Sequence, residues 1–133
     1  MDIKLENFAT ELQMREALAT LQGLTYPPGV LTPERPEVNN VLRGGAKVRY
    51  TRYENNRATV QVLGKVEHSV TVLFTGFKAF PDIVEAIGVV MRSLAVTARG
   101  RDTELDVTRL DGSTFKVHVF KKLCENYLVV ERL

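Results

Sequence analysis

Apolar and polar residues alternate most regularly between Arg57 and Thr75. The segments RATVQVL (57–63) and HSVTVLFT (68–75) place an apolar residue at every second position, the period of a strand with one face in a core. Val60, Val62, Val70, Val72 and Phe74 are expected inward, with Thr59, Gln61, Ser69, Thr71 and Thr75 outward. From Pro81 the period lengthens to that of a helix. Ile83, Ile87, Val90, Met91 and Leu94 share one face, and Val84, Ala86 and Val89 widen it. Pro81 suits the first turn, where its missing N–H is harmless, and Asp82 and Glu85 suit the positive end of the helix dipole. So apolar a helix needs broad cover, which predicts that it lies across the inner face of the sheet. Gly88 in its middle costs about 1 kcal/mol relative to alanine and points to a close approach by another element.

The flanking segments extend the pattern. KVRYTRY (47–53), the polar break ENN and RATVQVL form a hairpin with Val48, Tyr50 and Ala58 on one face and Arg49, Thr51 and Tyr53 on the other. After a charged turn at 97–102, TELDVTRL and STFKVHVF form a second hairpin around Asp111-Gly112, a pair suited to a type I′ turn; YLVVERL (127–133) closes the chain. Upstream, residues 8–22 predict a helix burying Phe8, Leu12, Ala19 and either Leu18 or Leu21, with Gly23 as its stop. The preceding DIKLENF alternates weakly and leaves a short strand open. Residues 24–46 hold four of the five prolines and three glycines and read as a loop, either an arm on a partner or second copy or a mobile linker. The expectation is one α+β domain, residues 1–133: an antiparallel β-sheet of about five or six strands with two helices packed on one face. An echo between YTRYENNRATVQV and VTRLDGSTFKVHV is what two hairpins of similar make-up look like.

Composition narrows the class without naming a function. A chain of 133 residues buries roughly two-thirds of its unfolded surface. With 44% hydrophobic and 26% charged residues, and no apolar run of about 20, it reads as a soluble domain without a membrane partner. The N-terminus carries no secretory pattern, so an intracellular site, cytoplasmic or nuclear, is expected. The single cysteine, Cys124, excludes an internal disulfide and a thiolate-rich zinc site. Residues 43–101 carry ten basic and four acidic side chains, whereas 1–42 carry three basic and six acidic. The central strands therefore hold the positive surplus, a distribution compatible with a phosphate-facing surface.

Catalytic signatures are absent, including HExxH, GxSxG and phosphate-binding glycine loops. No catalytic residue, metal or cofactor is expected. His68 and His118 would make a metal pair or a base only if their strands adjoined, and Glu104, Asp106, Asp111 and Glu125 form either a carboxylate cluster or a solvated sheet edge. The polar sheet face is more specific. It would present Lys47, Arg49, Thr51, Arg57, Thr59, Gln61, Ser69, Thr71, Thr108, Lys116 and His118, cations that meet phosphates beside groups that hydrogen-bond sugars or bases. Lys47, Arg49, Arg52, Arg57, Lys65 and Lys78 are the phosphate candidates, Thr59, Gln61 and Thr71 the hydrogen-bonding ones, and Phe77 the residue to insert between or stack on bases. The expected function is a non-catalytic nucleic-acid-binding module, as a homodimer or other homo-oligomer. The alternative is a protein-interaction, assembly or chaperone-like subunit using residues 24–46 and the apolar helix face.

The string VTVLFTGFKAFPDIVEAIGVVMRSL resembles the part of the TATA-box-binding protein fold in which a strand ends in a Thr-Gly-x-Lys turn and runs into a long amphipathic helix. Here that turn is Thr75, Gly76, Phe77 and Lys78, and YPPG after the first helix is similar to the family's Tyr-Asn-Pro segment. The likeness spans one repeat, roughly residues 5–95, and implies a helix-backed curved sheet, DNA as partner and a role in transcription. The remaining chain is expected to be too short for a second repeat. The family's Val-Asn dyad is not visible near Phe8–Leu12, and Leu63 stands where a Phe is usual, so minor-groove recognition does not carry over. The element order is also similar to that of small dimeric secretion chaperones, which are typically acidic.

Overall fold

A computed structural model describes the chain except residues 26–28, 33, 67, 98–101, 110 and 123–124, and except the side chains of 91, 93–97, 103, 122 and 125. The elements run β1 (Asp2–Phe8), α1 (Glu11–Thr25), β2 (Glu37–Val41), β3 (Lys47–Tyr53), β4 (Arg57–Val62), β5 (Val70–Thr75), α2 (Phe80–Thr97), β6 (Thr103–Thr108), β7 (Thr114–Lys122) and β8 (Glu125–Arg132). The strands form one eight-stranded sheet in the order β2-β3-β4-β1-β5-β8-β7-β6. The α+β class is as expected, but the sheet is larger than expected and mixed. β1 runs parallel to β4 and β5 parallel to β8, while the other neighbours are antiparallel.

Two strands account for most of the difference. β1, the strand left open by weak alternation, is one of the two central strands. Ile3 and Leu5 face the core, and then the register shifts between Leu5 and Phe8, so that Phe8 turns inward as well. Asn7 absorbs the shift with φ 68°, a conformation that Asn tolerates better than most residues, and its side-chain amide donates to the carbonyls of Val62 (3.0 Å) and Gly64 (3.1 Å). β2 lies inside the segment expected to be loop. None of its residues is buried and it pairs with β3 alone, so backbone hydrogen bonds make it a strand without any core pattern to reveal it.

The first helix starts three residues later than expected, at Glu11, and buries Leu18 and Leu21 as expected. Thr10 accepts the N–H of Gln13 at 3.2 Å, and the Gln13 side chain accepts the N–H of Ala9 at 3.2 Å, a reciprocal arrangement that starts the helix after Phe8. The buried stripe is therefore Met14, Ala17, Leu18 and Leu21, while Leu12 is 74% exposed. Gly23 does not end the helix, which continues to Thr25. On α2, Ile83, Ala86, Ile87, Val89 and Val90 are buried as expected; the side chains of Met91 and Leu94 lie outside the described residues, as does Cys124. A Cβ placed on Gly88 meets nothing within 4 Å, so close approach is not the reason for that glycine.

Both helices cover one face of the sheet and touch each other. The segment between α1 and β3 is tied to the same core by buried Leu31 and Leu42, and the Leu31 N–H donates to the Leu24 carbonyl at 2.9 Å. The connection from β6 to β7 closes with Arg109 N–H on the Ser113 carbonyl, and its positive φ is at Gly112 (85°); it runs through residues 109–113 rather than through a tight two-residue turn.

Topologically the chain is two β-α-β-β-β halves, residues 2–62 and 70–132, joined through the antiparallel β1–β5 pair. Beyond α2 the chain is hairpins as expected, β6–β7 and β7–β8; they belong with β5 and α2, so that α2 is part of the second half rather than the close of the first. The halves match β3–β4 with β7–β8. The sequence echo instead matches β3–β4 with β6–β7, so it does not follow the structural repeat.

Candidate binding surface on the uncovered sheet face

Because successive strand residues point to opposite sides, the side chains facing away from the helices can be read from the register. One row crosses the sheet as Glu37, Thr51, Thr59, Lys4, Leu73, Val129, His118 and Glu104. Neighbouring rows carry Arg49, Gln61 and Glu6 toward one end of the strands, and Tyr53, Arg57, Glu131, Lys116 and Asp106 toward the other.

This face holds most of the expected site residues but not all. Lys47, Arg49, Arg57, Thr59 and Gln61 lie on it together. Thr71 shares the face yet is only 3% exposed, and its hydroxyl accepts the Asn7 N–H at 3.2 Å beside the β1 bulge, so its hydrogen-bonding capacity is engaged internally. Arg52 has the opposite parity; it points to the helix side and donates to the Leu31 carbonyl at 3.0 Å. Lys65 follows the end of β4 and Lys78 follows the end of β5; these are opposite ends of the sheet, because β4 is parallel to β1 and β5 antiparallel to it. Phe77 is 1% exposed and cannot insert between bases. Its ring meets Phe74 edge-on and stacks on Phe115, each at 5.8 Å, because positive φ at Gly76 (76°) folds the turn back onto the core.

Charge on the face is divided. The β3–β4 hairpin contributes Lys47, Arg49 and Arg57, while β6 and β8 contribute Glu104, Asp106 and Glu131. Arg49 pairs with Glu37 on the edge strand at 3.0 Å, and Lys4 with Glu6 at 3.7 Å. Tyr53 is 47% exposed, with the Arg57 guanidinium 5.9 Å from its ring centre. Arg52 and Arg57, although on opposite faces, both reach a cleft of about 200 Å³ at this end of the sheet, lined also by Met1, Ile3, Asn56 and Phe80.

The sequence reading missed an apolar patch on the second half. Leu73, Val129, Phe120 and Tyr127 are half-buried there, with Phe120 stacked on Tyr127 at 5.6 Å and tilted against His118 at 4.8 Å. The signal was present, since Phe120 follows Lys116 and His118 at the strand period. On α2, by contrast, the described apolar residues Ile83, Ala86, Ile87, Val89 and Val90 are buried in the core.

His68 lies in the turn before β5, at φ 54°, rather than on a strand face, and β8 separates β5 from β7, which carries His118. Among the described residues no group of three or more His, Cys, Asp or Glu could hold a metal ion. Asp111 is occupied by Ser113, whose hydroxyl (2.6 Å) and N–H (2.9 Å) both donate to it and hold its carboxyl below the usual range. No described helix is long and apolar enough to cross a membrane. No family model, curated protein or solved structure matches the chain.

Proposed function

We propose that this protein is a non-catalytic binding module that contacts nucleic acid through the β3–β4 part of its uncovered sheet face. The reading is carried by one grouping: an exposed aromatic ring, Tyr53, with Arg57 beside it, on the same face as Lys47, Arg49, Thr51, Thr59 and Gln61. A ring flanked by a guanidinium stacks on bases of any sequence, and the surrounding cations neutralise the backbone. Arg49 would exchange its Glu37 partner for a phosphate. Tyr53 takes the stacking role that the sequence pattern assigned to Phe77.

Fluorescence anisotropy with labelled single-stranded oligonucleotides of mixed sequence, across a salt series, tests the reading. Three cations engaging phosphates predict a slope of log K against log salt of about −2, and Tyr53→Ala should weaken binding by roughly tenfold. Lys47→Glu with Arg57→Glu should flatten the slope. Absence of binding at low salt, or binding indifferent to both salt and these substitutions, refutes it.

A further inference from the structure

We infer that the cleft beside the β3–β4 turn binds a small carboxylate whose apolar body is about the size of one ring. The site is separate from the nucleic-acid surface, although Arg57 borders both, and stands without it.

A row of unequal side chains creates the space. Ile3 on β1, Ala58 on β4 and Arg52 on β3 are register partners on the helix side of the sheet. Further along β4 the same side carries Val60 and Val62, which are buried in the core, whereas Ala58 has a single methyl group and is only partly covered. Thr25 at the end of α1 and Phe80 at the start of α2 complete the lining from the helix layer. The cleft, about 200 Å³, is smaller than the roughly 300–1,000 Å³ of sites for drug-sized ligands and larger than the roughly 150 Å³ in which a protein interior holds benzene. One ring or a short chain fits it, against Met1, Ile3, Ala58 and Phe80.

Charge selects the other end of the ligand. Arg52 reaches the cleft from the helix side and Arg57 from the uncovered side, next to the turn in which Asn55 and Asn56 have positive φ. Arg15, Arg49 and Arg109 sit 2.8, 3.0 and 3.3 Å from carboxylates, but among the described residues Arg52 and Arg57 form no ion pair. The Arg52 guanidinium donates to the Leu31 carbonyl at 3.0 Å and Arg57 Nε to the Glu54 carbonyl at 3.4 Å, which leaves further N–H donors on each fork for a ligand. Asp2, the register partner of Arg57, is not part of the lining. Two guanidiniums beside an apolar lining favour a carboxylate over a neutral group, because charge-assisted hydrogen bonds are about twice as strong as neutral ones and the planar fork matches a carboxylate in shape. A bare anion would leave the apolar residues uncovered.

Titration of the isotopically labelled full chain with phenylpropionate, followed by amide correlation NMR, tests the inference. A ligand of about eleven non-hydrogen atoms should bind with a Kd of about 1 mM and shift the amides of Ile3, Asn56, Ala58 and Phe80. Phenylpropanol, the same ring without the charge, and acetate, the charge without the ring, should each bind at least roughly tenfold more weakly. Arg52→Met and Arg57→Met should each raise the Kd by roughly tenfold. Arg43→Met, which removes the same charge from an exposed loop position before β3, should change it by less than about twofold. Ala58→Leu keeps both cations and fills the place of the ring, so it too should raise the Kd at least roughly tenfold. The spectra show whether each variant is folded, and if Arg52→Met is not, Arg57→Met and Ala58→Leu decide. Absence of saturating shifts at these amides up to about 20 mM phenylpropionate overturns the inference. Equal affinity for phenylpropanol, or binding that Ala58→Leu leaves unchanged, overturns it as well. No oligonucleotide is present, so none of these results bears on the nucleic-acid reading.

Discussion

Replacing Phe77 by alanine separates a core role from a nucleic-acid role at a single position. The ring is 1% exposed and in contact with both Phe74 and Phe115. Removing a buried phenylalanine ring costs about 3–5 kcal/mol, and the loss of two aromatic contacts places this site toward the upper end. That is a large share of the roughly 5–15 kcal/mol by which a domain is stable. At about 2.1 cal/mol/K per residue, a chain of 133 residues has an unfolding entropy near 0.28 kcal/mol/K, so Tm should fall by roughly 11–18 °C. Phe77→Leu keeps most of the volume and should cost under about 1.5 kcal/mol, a drop of roughly 5 °C. Differential scanning calorimetry of the three proteins measures the series. Oligonucleotide anisotropy, taken well below every Tm, should find Phe77→Leu unchanged in affinity. A Phe77→Ala protein that melts within about 3 °C of wild type would show that the ring is not packed between Phe74 and Phe115. Lost affinity at constant Tm would restore the inserting role.

The turn that carries Phe77 and the phenol at the heart of the first half give two further tests. Gly76→Ala must adopt φ near 76° with a Cβ 2.9 Å from the Arg132 carbonyl oxygen, and should cost about 2–3 kcal/mol in urea denaturation. Gly64→Ala, also at positive φ but facing open space, should cost about half as much, and equal costs would remove the close approach from the explanation. Tyr50 is 0% exposed, and its hydroxyl lies near Thr20 and Glu16 without a hydrogen bond of ordinary geometry. Burial, reinforced by Glu16 and opposed by Thr20, pushes its pKa above the ordinary 10.0. The folded state then holds the phenolic proton more tightly than the unfolded one, so this contribution is complete below about pH 10 and is lost as pH climbs toward the raised value. Tyr50→Phe should be neutral or slightly stabilising at pH 7 and should flatten the loss between pH 9 and 11; parallel urea midpoints for the two proteins would refute this.

What the sequence by itself determined is which side of each regular element is apolar. Val60, Val62, Val70, Val72 and Phe74 face inward as their alternation requires, and the stripe on α2 follows from its 3.6 period, because both patterns are local and repeat over several residues. The face shared by Lys47, Arg49, Arg57, Thr59 and Gln61 was legible for the same reason. Local pattern could not disclose β1, where the bulge at Asn7 breaks the alternation, nor β2, where Val38 alone packs, partly buried, against the core. Apart from the two hairpins, β3–β4 and β6–β7, only the tertiary structure decided strand neighbours. Parallel pairing of β1 with β4 and of β5 with β8 depends on contacts across a helix and two further strands, and no residue period encodes it. The same long-range packing moved Phe77 into the core, where positive φ at Gly76 turns it, and set Arg52 against Leu31 by a parity that its charge had obscured. It also set the basic hairpin and the acidic strands at opposite ends of one sheet. That arrangement belongs to the strand order, which comes from how separate elements bury their apolar sides together.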